Sequence, residues 1–215
     1  MEAVRFDGQV AVVTGAGNGL GKEYALLLAA RGAKVVVNDL GNSLKGDGDA
    51  NSRPADLVVA EIRKNGGTAV ANYDSVEFGD RVIKTAVDNF GRVDILINNA
   101  GIIRERSFGK LSDRDWDLVF KVHLNGTMSC TSAALKVMMQ NKYGRIINIG
   151  STSGIFGNFG TSSYGTAKQG IHGLTQSTAA ENKKYGIYCN MFVPIAYTRM
   201  STSNPWTEDM IKNLD

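Results

Sequence analysis

Val10-Ala-Val-Val-Thr-Gly-Ala-Gly-Asn-Gly-Leu-Gly21 decides how this chain is read. An apolar run leads into a turn with glycines at 15, 17, 19 and 21, and a helix-period segment, Lys22 to Ala30, follows at once. A buried strand feeding a glycine turn and then a helix start is a phosphate-binding device. Glycine lets the backbone turn tightly and approach a ligand, and the free N–H groups of the helix start face the anion. The spacing is Gly15-x-x-x-Gly19-x-Gly21, not the commoner G-x-G-x-x-G.

Outward from this turn, apolar runs alternate with helix-period segments, the pattern of repeated βα units around a parallel sheet. Strands are expected at Gln9–Thr14, Lys34–Asp39, Thr68–Asn72, Asp94–Asn98, Gly144–Gly150 and Ile187–Val193. Helices are expected after the glycine turn, with Leu20, Tyr24, Leu27 and Leu28 on one side, and from Pro54 to Asn65 and Val76 to Asn89. Two long helices are expected at about 113–141 and 161–185, and a short one from Thr207. Leu40 to Arg53 is a long polar loop. The fold class is therefore α/β, a doubly wound parallel sheet in one domain spanning 1–215. Ligands of such sheets sit at the carboxyl ends of the strands. Thr14, Asp39, Asn98 and Ser151 stand at four such ends and are expected to converge on one edge.

Composition narrows the function. A 215-residue chain with 43% hydrophobic and 21% charged residues suits one globular domain. A net charge of +3 without a basic run gives no case for nucleic acid. Cys130 and Cys189 lie far apart, and His123 and His172 alone build no metal site. No apolar run is long enough to span a membrane, and no signal-peptide pattern opens the chain.

Asp39 closes the second strand near the position where an acidic residue receives ribose hydroxyls. A carboxylate there would repel a 2′-phosphate, and Leu40 follows where an arginine would favour one, so NAD is expected over NADP. Tyr164-Gly-Thr-Ala-Lys168 places a phenol and an ammonium on one helix face. A nearby cation favours the phenolate, and a phenol so tuned can take a hydroxyl proton while hydride leaves carbon. Ser151, thirteen residues before Tyr164, can hold the substrate oxygen, with Ser153 as the alternative. Ser151 also fits a helix or loop cap.

Thr14-Gly-x-x-x-Gly-x-Gly21, Asn98-Asn-Ala-Gly101, Ser151 and Tyr164-x-x-x-Lys168 together resemble the short-chain dehydrogenase/reductase family, a Rossmann fold. Arg5-Phe-Asp-Gly8, Val37-Asn-Asp-Leu-Gly41, Ala71-Asn-Tyr-Asp-Ser-Val76, Arg106-Ser-Phe108, Tyr143-Gly-Arg-Ile-Ile147 and Gly154-Ile-Phe-Gly-Asn-Phe-Gly160 resemble one branch of it. That branch comprises the (3R)-hydroxyacyl-CoA dehydrogenase units of peroxisomal multifunctional enzymes. The resemblance implies NAD-dependent oxidation of a (3R)-3-hydroxyacyl-CoA in peroxisomal β-oxidation, with Ser151, Tyr164 and Lys168 catalytic. A dehydrogenase of other ketones, steroids or carrier-bound acyl groups, and an NAD-binding module without turnover, are the alternatives. By position, Gly15, Gly17, Asn18, Gly19, Leu20 and Gly21 should wrap the pyrophosphate. Asp39 should hold the ribose, and Asp74 with Ser75 should meet the adenine. Asn99 or its neighbour Asn98, with Ala100 and Gly101, should line the cofactor. Ala196 and Thr198 should approach the nicotinamide, and Tyr164 and Lys168 should touch it or its ribose.

Two positions depart from the family pattern. Many members carry an asparagine in the long fourth helix where this chain has His123, and Asn125 lies about 200° round a helix from it. The sixth strand ends in Pro194-Ile195 rather than Pro-Gly. Family sheets gain a further strand after the sixth, and no strand-like run follows Val193. A C-terminally shortened form, or an edge covered by a partner chain, is expected, with Tyr188, Cys189, Met191 and Phe192 poorly covered. A homodimer through the two long helices is expected, supported by Ala133, Ala134, Ala167, Gly170 and Ala179. Peroxisomal location follows by resemblance alone, since Lys212-Asn-Leu-Asp215 is no peroxisomal address.

Overall fold

Every residue of Val10–Thr14 is buried, because a strand covered by helices on both faces has no solvent side to fill with polar residues. The computed structural model describes residues 4–41, 46 and 53–196. In chain order it contains β1 (Val10–Thr14), α1 (Gly19–Ala30), β2 (Lys34–Asn38), α2 (Pro54–Lys64), β3 (Thr68–Asn72), α3 (Gly79–Phe90) and β4 (Ile95–Asn98). Then follow α4 (Asp113–Phe120), α5 (Gly126–Asn141), β5 (Gly144–Ile149), α6 (Thr152–Phe156), α7 (Ser162–Asn182) and β6 (Ile187–Phe192). The strands form one sheet in the order β3-β2-β1-β4-β5-β6, parallel at every pairing. The chain winds one way from β1 to β3 and the other way from β4 to β6. The switch point therefore lies between β1 and β4, where such sheets hold their ligands.

The two faces bury different residues of the same strands. Val35 and Val37 of β2 pack under α1 and α2 with Leu28, Val58 and Ile62, while Val36 faces α3 with Val82 and Ile83. The alternation follows from the pleat. Ile62, Leu96, Ile146 and Met138 are among the largest side chains fully removed from water, each contributing about 1.5–3 kcal/mol of burial free energy.

Several elements differ from the sequence reading. The helix expected over 113–141 is divided by a π-helical segment, Lys121–Asn125, because one extra residue is inserted between α4 and α5. The helix expected from Val76 begins as a 3₁₀ turn, Val76–Phe78, capped by Ser75, before α3. The second long helix ends at Asn182 and closes through a 3₁₀ turn, Lys183–Tyr185. The buried side of α1 is Gly21, Ala25, Leu28 and Ala29, and Leu27 is exposed; small residues let this helix lie close to the sheet. The short α6 was hidden by its flanking glycines. Thr207 and Thr198 lie outside the described residues.

Among the described residues β6 is the outer strand. Tyr188 and Phe192 are 46% and 50% exposed, as expected, but Cys189 is 5% exposed. Its side chain points to the α5–α7 face, where Asn148 Nδ2 donates to its sulfur at 3.6 Å. On the opposite face Tyr24, Ile147, Ile149, Met191 and Phe192 line a hollow of about 310 Å³ beside the edge. Ala134 and Ala167 are fully buried in the chain's own core, so they are not available to a second copy.

Candidate active site

The glycine turn is shaped by its own packing. A Cβ at Gly21 would stand 2.2 Å from the Gly15 carbonyl oxygen, and one at Gly17 would stand 2.5 Å from Pro54 Cβ and 2.7 Å from an Asp39 oxygen. Gly15 and Gly19 have φ of +62° and +54°, the region that favours glycine. Gly19 differs from the others in having nothing within 4 Å of its missing Cβ. Asn18 makes no side-chain cap, and no acidic residue stands in the first turn of α1. An uncapped helix start beside an open glycine is the arrangement that a pyrophosphate fits. Gly15, Asn18, Gly19 and Leu20 line a cavity of about 660 Å³ that continues to Tyr164 and Lys168. Gly17 and Gly21 shape the turn from behind.

The polar strand ends divide into lining and scaffold. Asp39 Oδ2 accepts from Gly17 N at 2.9 Å, and Oδ1 accepts from Gly41 N at 2.8 Å. The carboxylate is thus fixed with lone pairs left for two hydroxyls. It stands just beyond β2, at the cavity wall. Thr14 is buried, and its Oγ1 accepts from Asn99 N and Ala100 N, both at 3.0 Å. Asn99 Nδ2 donates to the Thr14 and Gly15 carbonyls at 3.0 and 3.1 Å, which locks the turn to the β4 end. Asn99, Ala100 and Gly101 line the cavity. Asn98 does not; its Nδ2 donates to Thr131 and Asn148 at 3.0 and 2.8 Å beneath the sheet end. The pleat separates the two neighbours, and the scaffold role belongs to Asn98. Asp74 and Ser75 also line the cavity, Asp74 accepting from Asn72 Nδ2 at 2.7 Å. Ala196 lies at the far end with Pro194 and Ile195.

Ser151, Tyr164 and Lys168 meet at that end. Ser151 caps α6, its Oγ accepting from Ser153 N at 3.2 Å, and it still faces the cavity. Ser153 lines the cavity too. Lys168 is 5% exposed; its Nζ donates to the Ile149 carbonyl at 2.6 Å and stands 5.6 Å from the Tyr164 ring centre. Electrostatics here differ from the expectation that lysine lowers the phenol. Burial pushes Tyr164 up, and its hydrogen bond with Ser151 pulls the other way. Burial also pushes Lys168 down to about 7.

The sequence reading missed part of the wall. Ile102, Ile103 and Glu105 after β4, and Leu118 and Val122 on the fourth helical stretch, line the cavity near Tyr164. The loop Ile102–Ser107 carries no turn or period signal, but Arg106 bridges Thr161 in parallel register, which ties it to the start of α7. His123 lines the same wall, and its Nε2 lies 2.7 Å from the Ile102 carbonyl. Asn125 is exposed and takes no part.

The short chain dehydrogenase family model matches residues 9–209. The chain belongs to the short-chain dehydrogenase family. A peroxisomal multifunctional enzyme type 2 of Mus musculus is 54% identical over 211 residues, which are 98% of this chain and 28% of that protein. A peroxisomal hydratase-dehydrogenase-epimerase of Neurospora crassa is 56% identical over 200 residues, 93% of this chain and 22% of that one. The structure of full-length peroxisomal multifunctional enzyme type 2 from Drosophila melanogaster superimposes with a TM-score of 0.77 at 47% identity, covering 98% of this chain and 33% of that one. The chain thus spans a third or less of these relatives. A short-chain dehydrogenase is an oxidoreductase using a nicotinamide dinucleotide, and the uncapped α1 start, the open Gly19 and the Asp39 carboxylate fit that group.

The buried lysine of this dehydrogenase predicts a pH dependence. Its folded value of about 7 lies below the ordinary 10.5, so the unfolded chain binds the extra proton between them and stability rises with pH in that window. The melting temperature without cofactor should rise between about pH 7 and 8.5. The rise should shrink in Lys168→Met. Equal slopes for the two proteins in thermal scans would contradict this burial cost. The window stops short of the alkaline range because burial pushes Cys130 and Cys189 up to about 12, which works in the opposite direction.

Proposed function

We propose that this chain oxidises a (3R)-3-hydroxyacyl-CoA to the 3-ketoacyl-CoA with NAD, as the dehydrogenase part of a peroxisomal β-oxidation enzyme. The observation that carries the reading is the junction of Ser151, Tyr164 and Lys168 with the Asp39 end through one continuous cavity. The names of the Mus musculus and Neurospora crassa relatives support the substrate class and the compartment. Bound NAD supplies the acceptor for the hydride leaving the carbinol carbon. Tyr164 takes the hydroxyl proton, and Ser151 holds the same oxygen by a hydrogen bond so that the proton faces the phenol. Lys168, held by the Ile149 carbonyl, steadies the cofactor ribose and the phenolate that forms. The walls at Ile102 and Leu118 keep water from the reacting carbon.

Asp39 is the selector for NAD. Its carboxylate accepts the ribose hydroxyls and repels a 2′-phosphate. Asp39→Ser should raise the NADP/NAD efficiency ratio by about tenfold or more, the scale of one lost contact to a charged group. Steady-state rates with both cofactors check it, and a wild-type protein that already prefers NADP would overturn the assignment.

The same reading includes a homodimer through the outer faces of α5 and α7. Met128 on α5 is 48% exposed, and the half-buried Ala133 and Ala179 lie beside the core rather than at its centre. Light scattering should give the mass of two chains at micromolar concentration, and a single-chain mass would remove the dimer from the account.

A further inference from the structure

Gly101 has no room for a side chain: a Cβ there would stand 2.5 Å from Cε1 of His123. The ring that fills this space comes from the π-helical segment Lys121–Asn125. An α-helix without the inserted residue would rotate everything beyond it by about 100°. The π turn therefore lets His123 face the cavity while α5 still lays Cys130, Ala134 and Met138 on the sheet. His123 is 1% exposed. Its Nε2 stands 2.7 Å from the Ile102 carbonyl oxygen. The Ile102 N–H approaches the same Nε2 at 3.1 Å, so this nitrogen is held between the two backbone groups of Ile102. Nδ1 has no hydrogen-bond partner. The imidazole ring lies 5.1 Å from the Tyr164 ring, perpendicular to it at 89°, an arrangement aromatic pairs prefer.

We propose that His123 is the positioning residue for Tyr164, carrying the fixed geometry of the Gly101–Ile102 backbone to the phenol ring. The proposal rests on Tyr164 as the proton acceptor argued above. One side of the imidazole is fixed by a backbone hydrogen bond, another is pressed by Gly101, and a third meets Tyr164. Burial and the Lys168 cation hold the imidazole down to about 3. His123 is therefore neutral wherever the enzyme is assayed, and its contribution is geometric rather than a proton transfer. Among the described residues lining this cavity the charged groups are Lys168, 5.6 Å from the Tyr164 ring centre, and Asp39, Asp74, Glu77 and Glu105. None of them is a ring that replaces the contact of His123 with Tyr164.

The test uses the full chain with His123→Ala, His123→Phe and Gly101→Ala, each checked for folding by thermal unfolding. His123→Ala and Gly101→Ala should each lower kcat by about ten- to a hundredfold, as a small displacement of a reacting group does, and in His123→Ala the Kd for NAD should stay within about threefold. His123→Phe keeps a ring against Tyr164 without the Ile102 bond and should fall between wild type and His123→Ala. The double variant of His123→Ala and Gly101→Ala should be no slower than the slower single, because both act through one contact. The inflection of kcat with pH should move upward in His123→Ala, as Tyr164 loses its fixed approach to Ser151. A folded His123→Ala with unchanged kcat and inflection would overturn the proposal. So would multiplying losses in the double variant, or an inflection that vanishes instead of moving. If His123→Ala does not fold, His123→Phe and Gly101→Ala decide by the same readings. Full activity in Tyr164→Phe would count instead against the proposed chemistry itself.

Discussion

Tyr164→Phe should lower turnover by about 10²–10⁴, the range for one acid–base group, while the Kd for NAD changes little. The substitution keeps the ring, its perpendicular contact with His123 and its place in the cluster with Ile102, Val119 and Ala167. It removes only the oxygen that meets Ser151 and the substrate proton. Because burial pushes the phenol up, deprotonation at neutral pH depends on what the site gains when cofactor and substrate bind. The loss should therefore appear in kcat rather than in cofactor binding. Single-turnover rates together with NAD titration check it, and near-normal turnover in a folded Tyr164→Phe would remove Tyr164 from the chemistry.

The second large effect separates Gly19 and Gly21, which stand two residues apart and differ in role. Gly21→Ala drives a Cβ to 2.2 Å from the Gly15 carbonyl oxygen and 2.5 Å from Asn99 Nδ2. Backbone must move, and Asn99 loses its hold on Thr14 and Gly15. The expected cost is about 1–3 kcal/mol of stability, together with loss of cofactor binding. Gly19→Ala meets no atom within 4 Å, so its own cost is the positive φ, about 1–2 kcal/mol. Its methyl projects into the cavity beside the α1 start and should abolish binding of the pyrophosphate. Thermal unfolding with and without NAD checks both: NAD should raise the melting temperature of wild type and of neither variant. A cofactor shift preserved in Gly19→Ala would place the pyrophosphate elsewhere.

What was legible in the sequence follows from how strongly local chemistry constrains each element. Val10–Thr14 and Lys34–Asn38 are apolar runs that fit only a covered strand, so the parallel sheet could be read directly. Tyr164 and Lys168 share a helix face by spacing, and the same spacing holds in α7. The inserted residue in Lys121–Asn125 was not legible, because five residues of ordinary helix propensity carry no mark of a wider turn. The choice between Asn98 and Asn99 was also closed to sequence reading. Adjacent residues leaving a strand point to opposite faces, and which one meets the cavity depends on where the strand stops. The electrostatic expectation for Lys168 failed for a related reason: spacing gives proximity to Tyr164 but not burial, and burial dominates both groups here. Cys189 was assigned to an open edge by its strand, whereas its side of that strand is covered by α7.

The central claim is tested most directly by following NAD reduction by the full chain with (3R)- and (3S)-3-hydroxyacyl-CoA of the same length, in matched initial-rate assays. The account predicts oxidation of the (3R) form with NAD, lost in Tyr164→Phe. No NAD reduction with the (3R) form, or equal rates with both forms, would contradict it.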